Sequence, residues 1–372
     1  MKIAIDDKIP FIRGVLEPYA SVEYINGATA SSLDVQDADA LVVRTRTACN
    51  AELLQNSNVR YIATATIGYD HIDAEYCALH NIAWSNAAGC NSGAVEQYVA
   101  AALLRIATKN DVALAGKKLG IVGAGNVGRR VERFARALGM QVLRCDPPRA
   151  RAEGAAGFLS LFDLALQSDV ISMHVPLSLQ GENKTLHLAN AAFFAHVKRN
   201  AIFINTSRGE VVDERALSAA IKSDKLQCVA LDVWEHEPSL NERLLALVDI
   251  ATPHVAGYSA EGKAMATQIS VRNIAQFFKL PLQNWQHEIL PAEPAVTIDC
   301  TGLNVQEAVA AAVACTYNIE ADDKALRAAP HGGELLRGGY TYRREFSAHT
   351  LKLKNASDES MSVLRNMSFS IV

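Results

Sequence analysis

The chain has 372 residues, 49% hydrophobic and 20% charged, with a formal net charge of -4. At ~150 residues per domain this length predicts two or three domains, with enough apolar material for large buried cores. There is no basic excess for nucleic acid, no Lys/Arg block for a membrane surface, and no apolar run of the ~18 residues that a membrane span needs.

The N-terminal stretch MKIAIDDKIPFI is broken by Asp6, Asp7 and Lys8, which is not a signal-peptide pattern. The seven cysteines are odd in number and none stands in CxxC spacing. A cytoplasmic protein with reduced thiols and no metal site is expected.

In chain order, short apolar strands are predicted at Met1–Ile5, Val22–Ile25, Ala40–Val43, Tyr61–Thr64 and Ile82–Ser85. Helical stretches between them make the first ~85 residues an α/β unit with a parallel sheet. Ser92–Thr108 is an alanine-rich helix. A second series follows, with strands at Lys118–Val122, Gln141–Cys145, Val170–His174, Ala201–Asn205, Val229–Val233 and Ile250–Thr252, and a helix at Asn126–Leu138. Ala264–Phe278 is one more helix. Leu280–Pro294, with three prolines, reads as a linker. Beyond it, a helix at Val305–Thr316 and strands at Tyr340–Phe346 and Thr350–Leu353 suggest a small third domain.

Gly123-Ala124-Gly125-Asn126-Val127-Gly128 is a GxGxxG, entered by the strand KKLGIV and left by an amphipathic helix. Gly123 would make the tight turn, Gly125 would admit a pyrophosphate close to the backbone, and Gly128 would let helix and strand pack. Asp146 follows the next strand, 18 residues after Gly128. A carboxylate there would bind the ribose hydroxyls and repel a 2′-phosphate, which favours NAD over NADP.

Three further segments end predicted strands and carry polar groups that an ordinary turn does not need: Asn205–Gly209, Asp232–Pro238 and Thr252–Tyr258. Ligands of open α/β sheets bind outside the carboxyl ends of the strands. Oxidation of a secondary alcohol needs a base, for which histidine is suited, a carboxylate to orient it, and an arginine to grip an acid. Arg44 and Arg46, two apart at a strand end, point to one side and suit a phosphate; ion pairing within their own domain is the alternative.

These segments, with Arg44–Thr47, Ala65–Asp73 and His174-Val175-Pro176-Leu177, resemble in order the D-isomer-specific 2-hydroxyacid dehydrogenases. The resemblance implies two Rossmann-like doubly wound parallel-sheet domains: a substrate domain of residues 1–90 and 255–280, with an NAD domain, 91–254, inserted. It implies Arg208, Glu237 and His254 as catalytic residues. NAD contacts are expected from Gly123, Gly125, Asn126, Val127, Gly128, Asp146, Val175, Thr206, Ser207, Arg208, Asp232 and Gly257, with Asp232 on the nicotinamide carboxamide. Substrate contacts are expected from Arg44, Thr45, Arg46, Thr66 and Tyr258.

Residues 281–372 are similar to the C-terminal α+β dimerisation domain of one branch of the family, whose substrate is a small phosphorylated 2-hydroxy acid. The segment Tyr340–Phe346 carries that likeness. A homodimer is expected, with the C-terminal domain dispensable for the cofactor site. Arg343 and Arg344 either reach a partner's active site or line a solvated strand edge. A 3-phosphoglycerate dehydrogenase, another D-2-hydroxyacid dehydrogenase and an NAD-sensing corepressor remain open as alternatives.

Overall fold

The computed structural model describes residues 1–288 and 290–372. The chain divides into two compact units, one of Met1–Asn91 with Ser259–Leu290 and one of Ser92–Tyr258 with Pro291–Val372. Among the described residues, no helix is long and apolar enough to cross a membrane.

The first unit is built on β1 (Lys2–Asp6), β2 (Ser21–Ile25), β3 (Ala40–Val43), β4 (Tyr61–Thr64) and β5 (Ala83–Asn86). They lie in the order β2-β1-β3-β4-β5, every pairing parallel. β3 and β4 are buried along their whole length, as parallel strands covered on both faces must be. Helix Ala260–Phe278 joins this unit and packs Val271, Ile274 and Ala275 against Ile3, Ile5 and Val42. It starts four residues before the predicted Ala264, where Ser259 caps it by accepting the Gly262 N–H.

Strand order reverses between β1 and β3, so the residues that leave their carboxyl ends meet. Asp6 is fully buried there, and Arg44 grips it with Nε and Nη2 at 3.1 and 3.0 Å. Gly27 closes over the pair: a Cβ at that position would lie 2.5 Å from the Asp6 carboxylate. The guanidinium expected to take a phosphate is thus committed to neutralising a buried acid, and the alternative of an ion pair within its own domain is the one seen.

The second unit carries β6 (Lys118–Val122), β7 (Gln141–Cys145), β8 (Val170–Met173), β9 (Ala201–Asn205), β10 (Leu226–Leu231) and β11 (Ile250–Ala251). Their order is β11-β10-β9-β8-β6-β7, again all parallel. β10 begins three residues before the predicted Val229, because Leu226 pairs with Ala201 across a register shift.

The C-terminal segment adds β12 (Val296–Asp299), β13 (Thr350–Lys354) and β14 (Ser370–Ile371), a small sheet of parallel strands. It belongs to the second unit rather than forming a third. Val309 and Val313 of helix Val305–Thr316, with Phe346, Leu351 and Leu364, share one hydrophobic core with Tyr98, Leu103 and Ile106 of helix Ser92–Lys109. Tyr340–Phe346 is irregular rather than a strand, because Arg343 turns inward and is buried.

Replacing Arg44 with Met leaves the Asp6 carboxylate buried and uncompensated. The expected loss in unfolding free energy is roughly 2–4 kcal/mol, below the full buried-pair range because Arg44 keeps some water contact. Urea denaturation of Arg44→Met checks this, and the Asp6→Asn/Arg44→Met double variant should be less destabilised than Arg44→Met alone.

Candidate active site

All of the segments singled out in the second unit leave the carboxyl ends of its strands. The glycine fingerprint follows β6, at the point where strand order reverses between β6 and β8. Gly123 has φ +92°, and a Cβ on it would sit 2.6 Å from the carbonyl oxygen of His174, the residue after β8. Gly128 faces the Gly123 carbonyl so closely that a Cβ would come within 2.3 Å. At Gly125 a Cβ would meet nothing within 4 Å. Two glycines are therefore required by packing, and the third leaves open space at the start of helix Asn126–Ala137, which has no side-chain cap. Uncapped N–H groups beside open space fit a dinucleotide pyrophosphate. Val175 lines the Gly123 turn, while Asn126 is exposed and Val127 half-buried at the helix start.

Asp146 follows β7. One oxygen accepts the Ala124 N–H at 2.9 Å and the other caps helix Pro147–Glu153 by accepting the Arg149 N–H at 3.1 Å. Each carboxylate oxygen accepts more than one hydrogen bond, so ribose hydroxyls fit beside these N–H groups.

Asn205 organises the turn that follows β9. Its Oδ1 accepts the Ser207 N–H and hydroxyl at 3.0 and 2.7 Å, and its Nδ2 donates to the Arg208 carbonyl at 3.0 Å. Arg208 Nη1 donates to the Ser207 carbonyl at 2.7 Å. Gly209 lets this turn dock on the next one: a Cβ would lie 2.0 Å from the Trp234 carbonyl. Thr206 reaches the His174 ring at 3.3 Å. Burial pulls His174 down to a pKa of about 3, which makes that ring too weak a base to take a proton near neutral pH.

The base candidate is His254. Its backbone adopts φ +59°, and its Nδ1 lies 2.9 Å from Glu237 Oε2. Glu237 Oε1 accepts the Trp234 N–H at 2.9 Å. Burial pushes the Glu237 carboxyl up, but His254, the Trp234 N–H and Arg337 together outweigh it and hold the group below its ordinary 4.5. Glu237 is therefore an ionised acceptor that orients the ring and leaves Nε2 for a substrate.

Asp232, expected at the nicotinamide carboxamide, also holds the loop that follows β11. It is 1% exposed, and its carboxylate accepts the Val255 and Ala256 N–H groups, each at 2.8 Å, and the Thr252 hydroxyl at 2.6 Å. These bonds fix the loop that carries His254 and Gly257. Tyr258 stacks edge-on against Tyr340 and Tyr342, with centroids 5.7 and 6.2 Å apart.

Two arginines of the C-terminal segment complete this region, and sequence reasoning missed the role of both. Arg343 is buried and donates to the carbonyls of Val255 and Ala256, to the Ala94 carbonyl at 3.0 Å and to Gln97 at 2.9 Å. Arg337 Nη1 lies 3.5 Å from Glu237 Oε2. Arg343 is thus neither an arm toward a partner nor a solvated edge, and Arg344 pairs with Glu293 at 3.1 Å. The Tyr-Thr-Tyr-Arg-Arg run was the available signal, obscured by its resemblance to an alternating strand.

Of the substrate contacts expected from the first unit, Thr66 donates to the Gly68 carbonyl at 2.8 Å and faces Thr64, while Thr45 and Arg46 are exposed on the loop after β3.

Residues 94–256 match the model of the D-isomer specific 2-hydroxyacid dehydrogenase NAD binding domain, and 289–366 match a domain of unknown function. The erythronate-4-phosphate dehydrogenase of Bacteroides fragilis is 44% identical over 352 residues, covering 94% of this chain and 99% of that one. Its counterpart from Porphyromonas gingivalis is 41% identical over 372 residues, covering 99% and 100%. Among solved structures, D-lactate dehydrogenase from Aquifex aeolicus complexed with NAD and lactic acid is 25% identical, with a TM-score of 0.63 over 77% of this chain and 97% of that one. The NAD-bound 3-phosphoglycerate dehydrogenase of Entamoeba histolytica shares the fold, with a TM-score of 0.65 at 24% identity over 78% of this chain and 99% of that one. With the glycine fingerprint, the His254–Glu237 pair and this full-length similarity in place, the chain belongs to the erythronate-4-phosphate dehydrogenases, an NAD-dependent branch of the D-isomer specific 2-hydroxyacid dehydrogenases.

Proposed function

We infer that the chain oxidises the C2 hydroxyl of 4-phospho-D-erythronate to 2-oxo-3-hydroxy-4-phosphobutanoate, a step toward pyridoxal 5′-phosphate. The observation that carries the chemistry is the His254–Glu237 pair, held at 2.9 Å in the same compact unit as an open dinucleotide cradle. The similarity to erythronate-4-phosphate dehydrogenases over 94% or more of the chain carries the substrate. A 3-phosphoglycerate dehydrogenase reading rests on fold likeness alone, and no observation favours a corepressor.

His254 Nε2 takes the C2 hydroxyl proton. Glu237 holds Nδ1, which fixes the ring orientation and stabilises the imidazolium as it forms. Arg208 grips the carboxylate next to C2 and polarises the reacting oxygen. NAD, when bound, supplies the acceptor for the C2 hydride. The Gly123–Gly128 turn, with Val175, Thr206 and Ser207, holds the dinucleotide, and Asp146 binds its ribose hydroxyls and disfavours a 2′-phosphate. We keep Thr45, Arg46 and Thr66 as candidate substrate contacts of the first unit. We assign a homodimer in the cytoplasm. The dimer rests on the likeness of the C-terminal segment to the family's dimerisation domain, and the compartment on seven cysteines that are all free thiols. Sedimentation of the full chain tests the first of these.

Steady-state oxidation of erythronate 4-phosphate with NAD tests the reading as a whole. His254→Ala should lower kcat by ~10²–10⁴ at neutral pH while NADH still binds; near-wild-type turnover would reject the assignment. Equal affinity of the wild type for NAD and NADP would reject the role of Asp146, and Asp146→Ala should narrow the preference. Glu237 has a depressed folded pKa, so the stability it contributes is present above its unfolded value of 4.5 and is lost as pH falls through the folded value. Acid denaturation of Glu237→Gln should accordingly show a shallower loss of stability below pH 4.5 than the wild type.

A further inference from the structure

Arg337 stands on the short helix Gly333–Gly338, far along the chain from the family core, yet it faces the catalytic pair. The helix is anchored on both sides of the site. Leu336 packs into the core that holds Trp234 and Leu326, and a Cβ on Gly333 would touch the Pro253 ring, next to His254, at 4.0 Å. The guanidinium is only partly used. Its Nη1 is 3.5 Å from Glu237 Oε2, longer than a strong charge-assisted hydrogen bond, which is about 2.7–2.9 Å. Its Nε is buried with no hydrogen-bond partner. Tyr258, whose hydroxyl is hydrogen-bonded to the guanidinium, is its remaining neighbour on the His254 loop.

A buried donor without an acceptor costs free energy that an anionic ligand would recover. The nearby acceptor, Glu237, already receives the Trp234 N–H and the His254 ring. Arg208 takes the carboxylate beside C2, and Arg44 is committed to Asp6. The distal phosphate of the substrate still lacks a cation, and Arg337, whose side chain is 21% exposed and has Glu237, Tyr258 and Glu334 around it, keeps a buried Nε without an acceptor beside the catalytic pair.

We propose that Arg337, from the C-terminal segment of the same chain, is the substrate-binding residue for the phosphate end of the acid, with the Tyr258 hydroxyl beside it. The proposal rests on the reading that the substrate is a phosphorylated 2-hydroxy acid. It makes the C-terminal segment a determinant of substrate choice, distinct from any part it plays in dimerisation.

The test compares wild type, Arg337→Met and Arg337→Lys. Loss of a charge-assisted hydrogen bond should cut the ratio of kcat/KM for erythronate 4-phosphate over erythronate by ~10- to 100-fold in Arg337→Met, chiefly through KM. Arg337→Lys keeps the charge and should retain most of the ratio, and NADH titration confirms that each variant is folded. Equal losses on both substrates, with a shifted pH profile, would mean that Arg337 only positions Glu237, and would overturn the proposal. So would an unchanged ratio.

Calorimetric titration of the NADH-loaded proteins with inorganic phosphate separates this proposal from the substrate reading. Phosphate binding weakened ~10-fold or more in Arg337→Met supports the anion site even if the wild type does not oxidise erythronate 4-phosphate. Phosphate binding that is equal in wild type and variant counts against the site whatever the turnover result.

Discussion

Two buried charges of opposite sign grip one loop, and the placement of the base depends on them. Asp232 takes the N–H groups of Val255 and Ala256, and Arg343 takes the carbonyls of the same two residues. The peptide units after His254 are therefore held from both sides by full charges where water does not reach. His254 itself sits at a positive φ, which a non-glycine residue keeps only when its surroundings over-determine it. The Thr252 hydroxyl, which donates to Asp232 and is bonded to the buried Tyr98 hydroxyl, extends the same network into helix Ser92–Lys109. The geometry at Glu237 Oε2 thus depends on a network that reaches from Asp232 to the buried Tyr98 hydroxyl.

Close approach of backbones accounts for the rest of the site. Gly123, Gly128 and Gly209 each stand where a single Cβ would collide with a carbonyl group of a neighbouring segment. The fingerprint is thus as much a packing device as a ligand cradle; Gly125 alone faces open space. Gly209 plays the equivalent part between the Arg208 turn and the Trp234 turn. The arginine and the His–Glu pair come from different strands, and this contact brings their two turns together.

Parallel strands buried on both faces are legible because their apolar runs are continuous. Ala40–Val43, Tyr61–Thr64, Lys118–Val122 and Ala201–Asn205 fall where the sequence predicts them, as does the less buried edge strand Gln141–Cys145. Helix Val305–Thr316 is legible for its capping residues and length. The short β12, helix Ile319–Ala328, helix Asp358–Asn366 and β14 are not, since their amphipathic faces are narrow and their burial depends on distant partners. Within the site, residue type predicts chemistry where one charge has one plausible use, as with His254 and Glu237. It misleads where a charge has a hidden counter-charge: nothing in Arg44-Thr45-Arg46 reveals that Asp6, 38 positions earlier, claims the first arginine. The loop-fixing bonds of Asp232 are illegible for a similar reason, because its partners there are backbone N–H groups that carry no sequence signature.

The C-terminal segment shows why domain boundaries drawn from composition and functional boundaries drawn from contacts diverge. A proline-rich stretch followed by a new α/β pattern looks separable, and the segment does build its own sheet. Yet Arg343 is buried against the loop it holds, and the Phe346, Leu351 and Leu364 side chains complete the core beneath helix Ser92–Lys109. Removing the segment would strip that core and leave Asp232 without the cation across the loop, so the remaining residues of the second unit would not keep the geometry of the site. The extra ~80 residues are therefore part of the machinery that aims His254. Without that segment the loop would keep the Asp232 bonds to Val255 and Ala256 but lose the Arg343 bonds to the carbonyls of the same residues, which help to hold His254 at its positive φ.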